Sequence, residues 1–331
     1  MLFPEFLYAQ LITTPPVPTA SLSGQTVIIT GANRGLGFET AKHVARLGAS
    51  KLILAVRSTS AGEVAKAAIL KANPSKSIEI EVWPLDMSSY ASIKTFAQRA
   101  ETLPRIDALV NNAGIATFTY TLAEENESTI TVNLVSTFLL SLLMLPKLRE
   151  SAEKFGTTPR ITMIGSEGQN WVQFKERKAR DGAILQTLND KATADMENRY
   201  FLSKLLVMYC VRELAAQMDK STNHSSKGRP VILNCAAPGY CATGLTHEKS
   251  DSLQIKIMEK VLARHVEVGS RCIVNGVVRG QESHGQYLSE CKVKPVSKVE
   301  CSKDGDSTQQ RVWNEVLQKL EEIQPGISGN I

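Results

Sequence analysis

The sequence predicts an α/β fold: a doubly wound parallel sheet of about seven strands, in one domain with a small C-terminal helical lobe. Three observations predict it. Short β-branched runs alternate with stretches of helical spacing from residue 25 to the C-terminus. The turns between them are short, so successive strands run the same way and helices cross over on both faces. At 43% hydrophobic and 21% charged, the 331 residues can bury one large core, and no composition break separates two domains. No repeat of about 20–50 residues is present, which excludes a solenoid.

The elements follow in order. Residues 1–22 read as an N-terminal extension and 23–331 as the domain. The extension is apolar at first, but Pro4 and Glu5 interrupt the run, no basic cluster precedes it and it is too short to span a bilayer. It is expected to pack on the protein's own body rather than on a membrane surface, and the expected location is the cytoplasm. Pro15, Pro16 and Pro18 form a stiff connector. The continuous apolar run at 25–30 is the first strand. Residues 36–47 have helical spacing, with Gly48 as the stop. A strand at 51–56 leads into an alanine-rich helix, 61–72, that ends at Asn73-Pro74. Then come a strand at 78–83, a helix at 89–102, a strand at 107–110 and a long helix at 127–145. A strand at 160–165, a helix at 196–218 and a strand at 230–235 continue the alternation. Residues 240–285 read as the helical lobe, 285–289 as the last strand and 308–323 as the last helix.

Lysine and arginine number 38 against 33 acidic residues, a net charge of +5. There is no basic run and no arginine–aromatic interleaving, so nucleic acid is not an expected partner. The six cysteines lack CxxC spacing, and the five histidines do not pair at ligand spacing. Neither a disulfide framework nor a metal is expected.

The chemistry concentrates at two places. Thr30-Gly31-Ala32-Asn33-Arg34-Gly35-Leu36-Gly37 lies between the first strand and the first crossover helix. Glycines there let the backbone approach a pyrophosphate, and the helix N-terminus offers unpaired N–H groups and the positive end of its dipole. No Gly-Lys-Ser/Thr follows, so a dinucleotide fits better than a nucleoside triphosphate. The second strand ends in Val56-Arg57 with no acid to accept from a ribose 2′-hydroxyl. Arg34 and Arg57 suit a 2′-phosphate instead, which makes NADP(H) the expected cofactor. The second place is the helix 196–218, where Tyr200 and Lys204 stand four apart on one face. A cation beside a phenol favours the phenolate and brings it toward a useful acid–base range.

Read together, TGANRGLG at 30–37, NNAG at 111–114, Ser166 after RITMIG, YFLSK at 200–204 and Pro238-Gly239 resemble the short-chain dehydrogenase/reductase superfamily. The match runs over roughly residues 24–245. The resemblance implies a Rossmann-type fold and an oxidoreductase working between NADP(H) and a ketone or secondary alcohol. It assigns Ser166 to hold the substrate oxygen, Tyr200 to donate or remove its proton, and Lys204 to lower the tyrosine pKa and hold the nicotinamide ribose. Asn133 matches the helix asparagine of the proton relay. Asn112 and Gly114 would line the cofactor site, Asp86 would contact the adenine, and Pro238, Gly239 and Thr243 would pass the nicotinamide. A catalytically idle NADP(H)-binding sensor or scaffold is the alternative. Such a relative need not keep the serine–tyrosine–lysine set, and all three residues are present here. A small-molecule carbonyl or alcohol is the implied partner, and family relatives are often homo-oligomers.

Two features depart from the common pattern. Tyr200 follows Ser166 by 34 positions, a longer gap than many members have, and the serine motif reads Gly-Ser-Glu-Gly. The intervening segment, 167–195, reads as an insertion that shapes the substrate mouth, with Trp171, Val172 and Phe174 supplying apolar contact. This spacing and the N-terminal stretch resemble fungal members of secondary-metabolite pathways, which implies a bulky, largely apolar polyketide- or terpenoid-type substrate.

Overall fold

A computed structural model describes residues 3–221, 230–245, 259–295 and 303–331 of the chain. Its centre is an eight-stranded sheet. In chain order the strands are β1 (Thr26–Thr30), β2 (Lys51–Val56), β3 (Glu79–Pro84), β4 (Ala108–Asn111), a two-residue ribbon β5 (Leu122–Ala123) and β6 (Asn126–Glu127), then β7 (Arg160–Ile164), β8 (Ile232–Ala237), β9 (Tyr287–Ser289) and β10 (Lys292–Lys294). The sheet runs β10-β9-β8-β7-β4-β1-β2-β3, and the ribbon stands apart from it. All pairings in the sheet are parallel except β9 with β10. The winding reverses between β1 and β4, and that switch point opens a crevice at the strands' carboxyl ends.

One strand more is present than the sequence suggests. β10 is three residues long and turns back through Glu290 and Cys291, whose φ angles of 48° and 58° are those of a tight hairpin. The pair carries neither Asn nor Gly, so the usual hairpin signal is missing.

Two hydrophobic layers cover the sheet. Helices Tyr90–Glu101, Ser128–Phe155, Arg199–Ser221 and Lys303–Ile323 form one, and Trp313 of the last is fully buried against Phe138, ring centroids 5.9 Å apart. Helices Gly35–Arg46, Thr59–Ala72 and Val266–Val278 form the other. The helix Val266–Val278 falls inside the stretch read as a lobe, yet it lies on the sheet. Ile273, Val274 and Val277 pack beside Val44 and Ala45, and His43 Nε2 meets Glu267 Oε1 at 3.0 Å. Residues 246–258 of that stretch lie outside the described residues.

The long helix also runs past its expected end. By length and composition, Ser128–Phe155 could cross a membrane, but 94% of its apolar window is buried within the fold. It passes through Pro146, which cannot donate to the carbonyl of Leu142, four residues back. Asn330 Nδ2 donates to that carbonyl instead, at 3.1 Å, so a residue at the far end of the chain repairs the helix. Gly156, at φ 61°, ends it.

Glu127 and Arg199 form an ion pair with both side chains fully buried, Nε to Oε2 3.6 Å. Glu127 also accepts from the backbone N–H groups of Thr129 and Ile130. Removing the acid leaves an uncompensated buried guanidinium. Glu127→Ala is therefore expected to lower unfolding free energy by about 3–5 kcal/mol. Urea denaturation of the variant beside the parent measures it.

Candidate active site

The crevice at the switch point is built first by backbone. β1 ends at Thr30, and Gly31 turns the chain at φ 66°. Arg34 then takes an extended conformation with no side-chain cap, so the first N–H groups of helix Gly35–Arg46 remain open. Asn112 Nδ2 donates to the carbonyls of Thr30 and Gly31 at 2.9 and 3.3 Å, and the Ala113 N–H donates to Thr30 Oγ1 at 2.9 Å. Side chain and backbone thus sew the end of β4 to the end of β1. The fit is close: a Cβ at Gly37 would stand 2.4 Å from Asn112 Nδ2 and 2.6 Å from the Gly31 carbonyl.

A cleft of about 470 Å³ runs over this turn. At one end stand Asn33, Arg34, Gly35, Leu36, Arg57 and Asp86, with Thr243 beside Gly35; at the other stand Gly114, Tyr200 and Lys204. Both arginines are exposed, and among the described residues neither has a carboxylate partner. Asp86 Oδ1 accepts from the N–H and the hydroxyl of Ser88, at 2.9 and 2.6 Å, and the helix that follows is capped by Ser89. The cleft also takes in Ser58, Ser88, Ile115 and Ser128, which the sequence reading did not single out. Ser58 and Ile115 directly follow Arg57 and Gly114, and Ser88 lies two residues after Asp86, while Ser128 reaches the cleft only through tertiary packing.

Five expected site residues stand outside the cleft's lining: Gly37, packed against Asn112, and Ser166, Asn133, Pro238 and Gly239. Ser166 follows β7, and its Oγ accepts from the Gly168 N–H at 3.2 Å, capping the short helix Glu167–Asn170. Gly168 lies under the Phe201 ring, where a Cβ would come within 2.1 Å, and Phe201 meets the Tyr200 ring edge-on at 5.5 Å. Asn133 lies in a π-helical turn, Thr131–Val135, inside the long helix. Its Oδ1 accepts from the Ile115 N–H at 2.9 Å, and its Nδ2 donates to the Ile115 carbonyl at 2.9 Å and to Ser203 Oγ at 3.0 Å. The amide therefore clamps the loop after β4 to the Tyr200 helix. Pro238 and Gly239 face away toward the N-terminal helix described below: Arg264 donates to the Pro238 carbonyl, and a Cβ at Gly239 would stand 2.9 Å from Gln10 Oε1.

The Tyr200–Lys204 pair departs from the expected electrostatics. Lys204 Nζ lies 5.6 Å from the Tyr200 ring centroid and donates to the Ile164 carbonyl at 2.9 Å. Burial pulls its ammonium down to about 8. Tyr200 is partly exposed as a residue, yet its phenol end is crowded by protein, and that burial, followed by Glu167 and Cys241, pushes it well above the usual tyrosine value. The lysine thus does not bring the phenol down in this arrangement. Desolvation outweighs a cation whose proton is already committed to a carbonyl.

The insertion also differs from expectation. Val172 and Phe174 turn into the core, Phe174 packing against Tyr209 with ring centroids 6.5 Å apart. Glu315 of the last helix accepts from the N–H groups of Ile184 and Leu185 and holds the segment there. Only Trp171 stays outward, 41% exposed, and it meets Phe6 edge-on at 5.2 Å.

Phe6 belongs to a helix, Phe3–Leu11, that packs on the fold. Gln10 Nε2 donates to the carbonyls of Tyr240 and Leu262 at 2.7 and 2.6 Å, and its Oε1 accepts from the Tyr240 N–H at 3.1 Å. Arg264 donates to the carbonyls of Ala9, Thr13 and Pro238, Arg271 to that of Pro15, and Arg46 to that of Pro18. No local signal could have shown Gln10 or Arg264, because each acts on residues more than 220 positions away or on bare carbonyls.

These features define a class: a doubly wound domain whose switch-point cleft pairs a glycine turn with a tyrosine and a lysine on one helix. The family model for short chain dehydrogenases matches residues 25–168. The chain is 45% identical over 328 residues to "Short chain dehydrogenase/reductase dmxR8" of Cryptosporiopsis sp. (strain 8999), covering 98% of this chain and 99% of that protein. Among solved structures, an uncharacterized protein from Mycobacterium paratuberculosis superimposes with TM-score 0.66 at 23% identity, over 92% of this chain and 96% of that one. A short-chain dehydrogenase from Sphingobium yanoikuyae in complex with NADPH superimposes with TM-score 0.60 at 19% identity, over 88% and 95%. The chain belongs to the short-chain dehydrogenase/reductase family and is an oxidoreductase.

Gln10→Ala removes three hydrogen bonds at a buried joint, about 1–3 kcal/mol. Hydrogen exchange is expected to speed up at Tyr240 and the adjoining 259–264 segment and to stay unchanged in β1 and β4. Equal exchange in variant and parent would show that the N-terminal helix does not hold this joint.

Proposed function

We propose that the protein is an NADP(H)-dependent reductase or dehydrogenase, moving hydride between the nucleotide and a ketone or secondary alcohol on a bulky, largely apolar secondary-metabolite intermediate. The observation that carries this reading is the single cleft joining the two exposed arginines to half-buried Tyr200 and buried Lys204. The residues present suit a dinucleotide phosphate. Gly31 and Gly37 stand where a side chain would close the turn, open N–H groups lie at the helix N-terminus, and the exposed guanidinium groups of Arg34 and Arg57 have no carboxylate partner among the described residues.

The bound nucleotide supplies or accepts the hydride. The chain's own residues do the rest. Gly31, Asn33, Gly35, Leu36 and Gly37 cradle phosphate, and Arg34 with Arg57 select the 2′-phosphate. Asp86 serves the adenine end, and Asn112 and Gly114 keep the floor close and flat. At the reacting end, Ser166 and Tyr200 are two hydroxyl donors for an oxygen that gains negative charge, and Tyr200 supplies its proton. Lys204 holds the ribose and, once drawn off the Ile164 carbonyl, stabilises the phenolate. Asn133 keeps Ile115 and Ser203 in place, and Pro238, Gly239 and Thr243 wall the nicotinamide side.

Arg57→Ala is expected to weaken NADPH binding about tenfold and leave NADH nearly unchanged, as read by nucleotide fluorescence. Tyr200→Phe should keep NADPH binding and lower turnover of a panel of bulky ketones by about 10²–10⁴-fold. Equal NADPH and NADH affinity in the parent would overturn the cofactor reading.

The pH dependence follows from Lys204. Its ammonium is charged below about 8 and neutral above. Reduction is therefore expected to slow as pH rises through about 8, and Lys204→Met should flatten that decline along with an overall loss of rate. A pH–rate profile of both proteins checks it.

A further inference from the structure

The Gly-Ser-Glu-Gly motif places an acid directly after Ser166, and nothing in the proposed reaction uses it. Glu167 is 3% exposed. It reaches the β9–β10 hairpin, where Ser289 Oγ lies 3.1 Å from Glu167 Oε1 and 2.7 Å from Glu290 Oε1. Ser289 is fully buried and Glu290 is 5% exposed.

The hydrogen count decides what this contact means. A serine hydroxyl has one hydrogen, and an ionised carboxylate has none. If both acids were ionised, Ser289 could donate to only one, and the other oxygen would face a lone pair. Both contacts are hydrogen bonds only if one carboxyl carries a proton. In one arrangement Glu167 donates to Ser289 Oγ and Ser289 donates to Glu290; in the other both bonds reverse. A shift of two hydrogens along the chain interconverts them, and the total charge stays at −1. Glu290 Oε2 faces Lys294 Nζ at 3.5 Å, whereas burial of Glu167 favours its protonated form.

We propose that Glu167, Ser289 and Glu290 share one proton behind Ser166, and that Glu167 is thereby a positioning residue that keeps Tyr200 a proton donor. This rests on the reductase reading above. When the shared proton is lost at alkaline pH, a second negative charge appears beside the site and opposes the Tyr200 phenolate. The phenol then holds its hydrogen, as carbonyl reduction requires.

The groups around Glu167 agree. From the hairpin side it faces Glu290, with Lys294 beyond, and Tyr287 of β9. Arg264 approaches from the segment before Val266–Val278, Cys272 from that helix, Cys241 from the loop after β8 and Tyr200 from its own helix. Arg264 is the one cation among them that acts on Glu167, and its nitrogens are held by the carbonyls of Ala9, Thr13 and Pro238. Burial and Glu290 together push Glu167 up.

The test needs no substrate for its first half. Infrared spectra of the full chain at pH 7 are expected to show a protonated-carboxyl band that disappears in Glu167→Gln. It should disappear in Glu290→Gln too, because the new amide donates to Ser289 and Ser289 then donates to an ionised Glu167. Circular dichroism confirms that both variants fold. A parent without the band, or a band that survives in both variants, overturns the shared proton. The second half reads function: in Glu167→Gln, the rising limb of alcohol oxidation with NADP+ should move down by about one pH unit. NADPH affinity should stay the same. An unmoved limb overturns the action on Tyr200. If the parent binds no NADPH, the cofactor reading fails, while the infrared result stands or falls separately.

Discussion

The Asn112 amide spans the gap between β4 and β1, and the whole site depends on that span. Parallel strands at a switch point diverge at their carboxyl ends, because their crossover helices go to opposite faces. Left alone, that opening would be a mobile seam. Two donors from β4, the Asn112 side chain and the Ala113 N–H, close it onto Thr30 and Gly31. The glycine turn is therefore held from below by the same strand whose next residues, Gly114 and Ile115, floor the reacting end. Asn133 carries the order one step further, from Ile115 to Ser203 on the Tyr200 helix. A chain of hydrogen bonds thus runs from the glycine turn to the helix that carries Tyr200.

The two ends of the cleft work in different media. Arg34 and Arg57 stand in water, where charge is screened and a guanidinium is cheap to keep free. Tyr200 and Lys204 sit where protein displaces water, and there charge is costly for both. Burial drives the phenol up and the ammonium down, so the neutral forms of the two approach each other. A phenol that keeps its hydrogen and a lysine that can change its charge near pH 8 are what such a region produces. Coulomb attraction between them would pull the other way, but the ammonium has spent a hydrogen on Ile164.

Most of the fold was legible because its signals are local. Alternating strand and helix periods set seven of the eight main-sheet strands, with their ends displaced by no more than two residues. The glycine turn and the Tyr200–Lys204 spacing are visible without tertiary information. What escaped the reading is non-local or lacks a composition signal. The hairpin at Glu290-Cys291 carries positive φ on residues that seldom adopt it. The helix through Pro146 survives because Asn330 satisfies a carbonyl nearly two hundred residues upstream. Val172 and Phe174 look like substrate contacts in a segment called an insertion, but an apolar residue near a site is as readily drawn into the core. Helix Val266–Val278 was taken for part of a lobe because the apolar stripe that docks it on the sheet says nothing about which surface it meets.

The N-terminal segment shows how an extension becomes part of a domain without a core of its own. Residues 3–22 bury little beyond Ala9, Gln10, Pro15 and Leu22, and Tyr8, Leu11 and Ile12 stay exposed. Hydrophobic burial alone would leave such a stretch loose. What fixes it is a series of arginines, each taking a carbonyl that the prolines and the helix end leave without a backbone donor. Arg264 joins the series to the site, because the same guanidinium donates to the Pro238 carbonyl and acts on Glu167 behind Ser166. Order at the N-terminus and the charges behind Ser166 therefore meet at one buried cation.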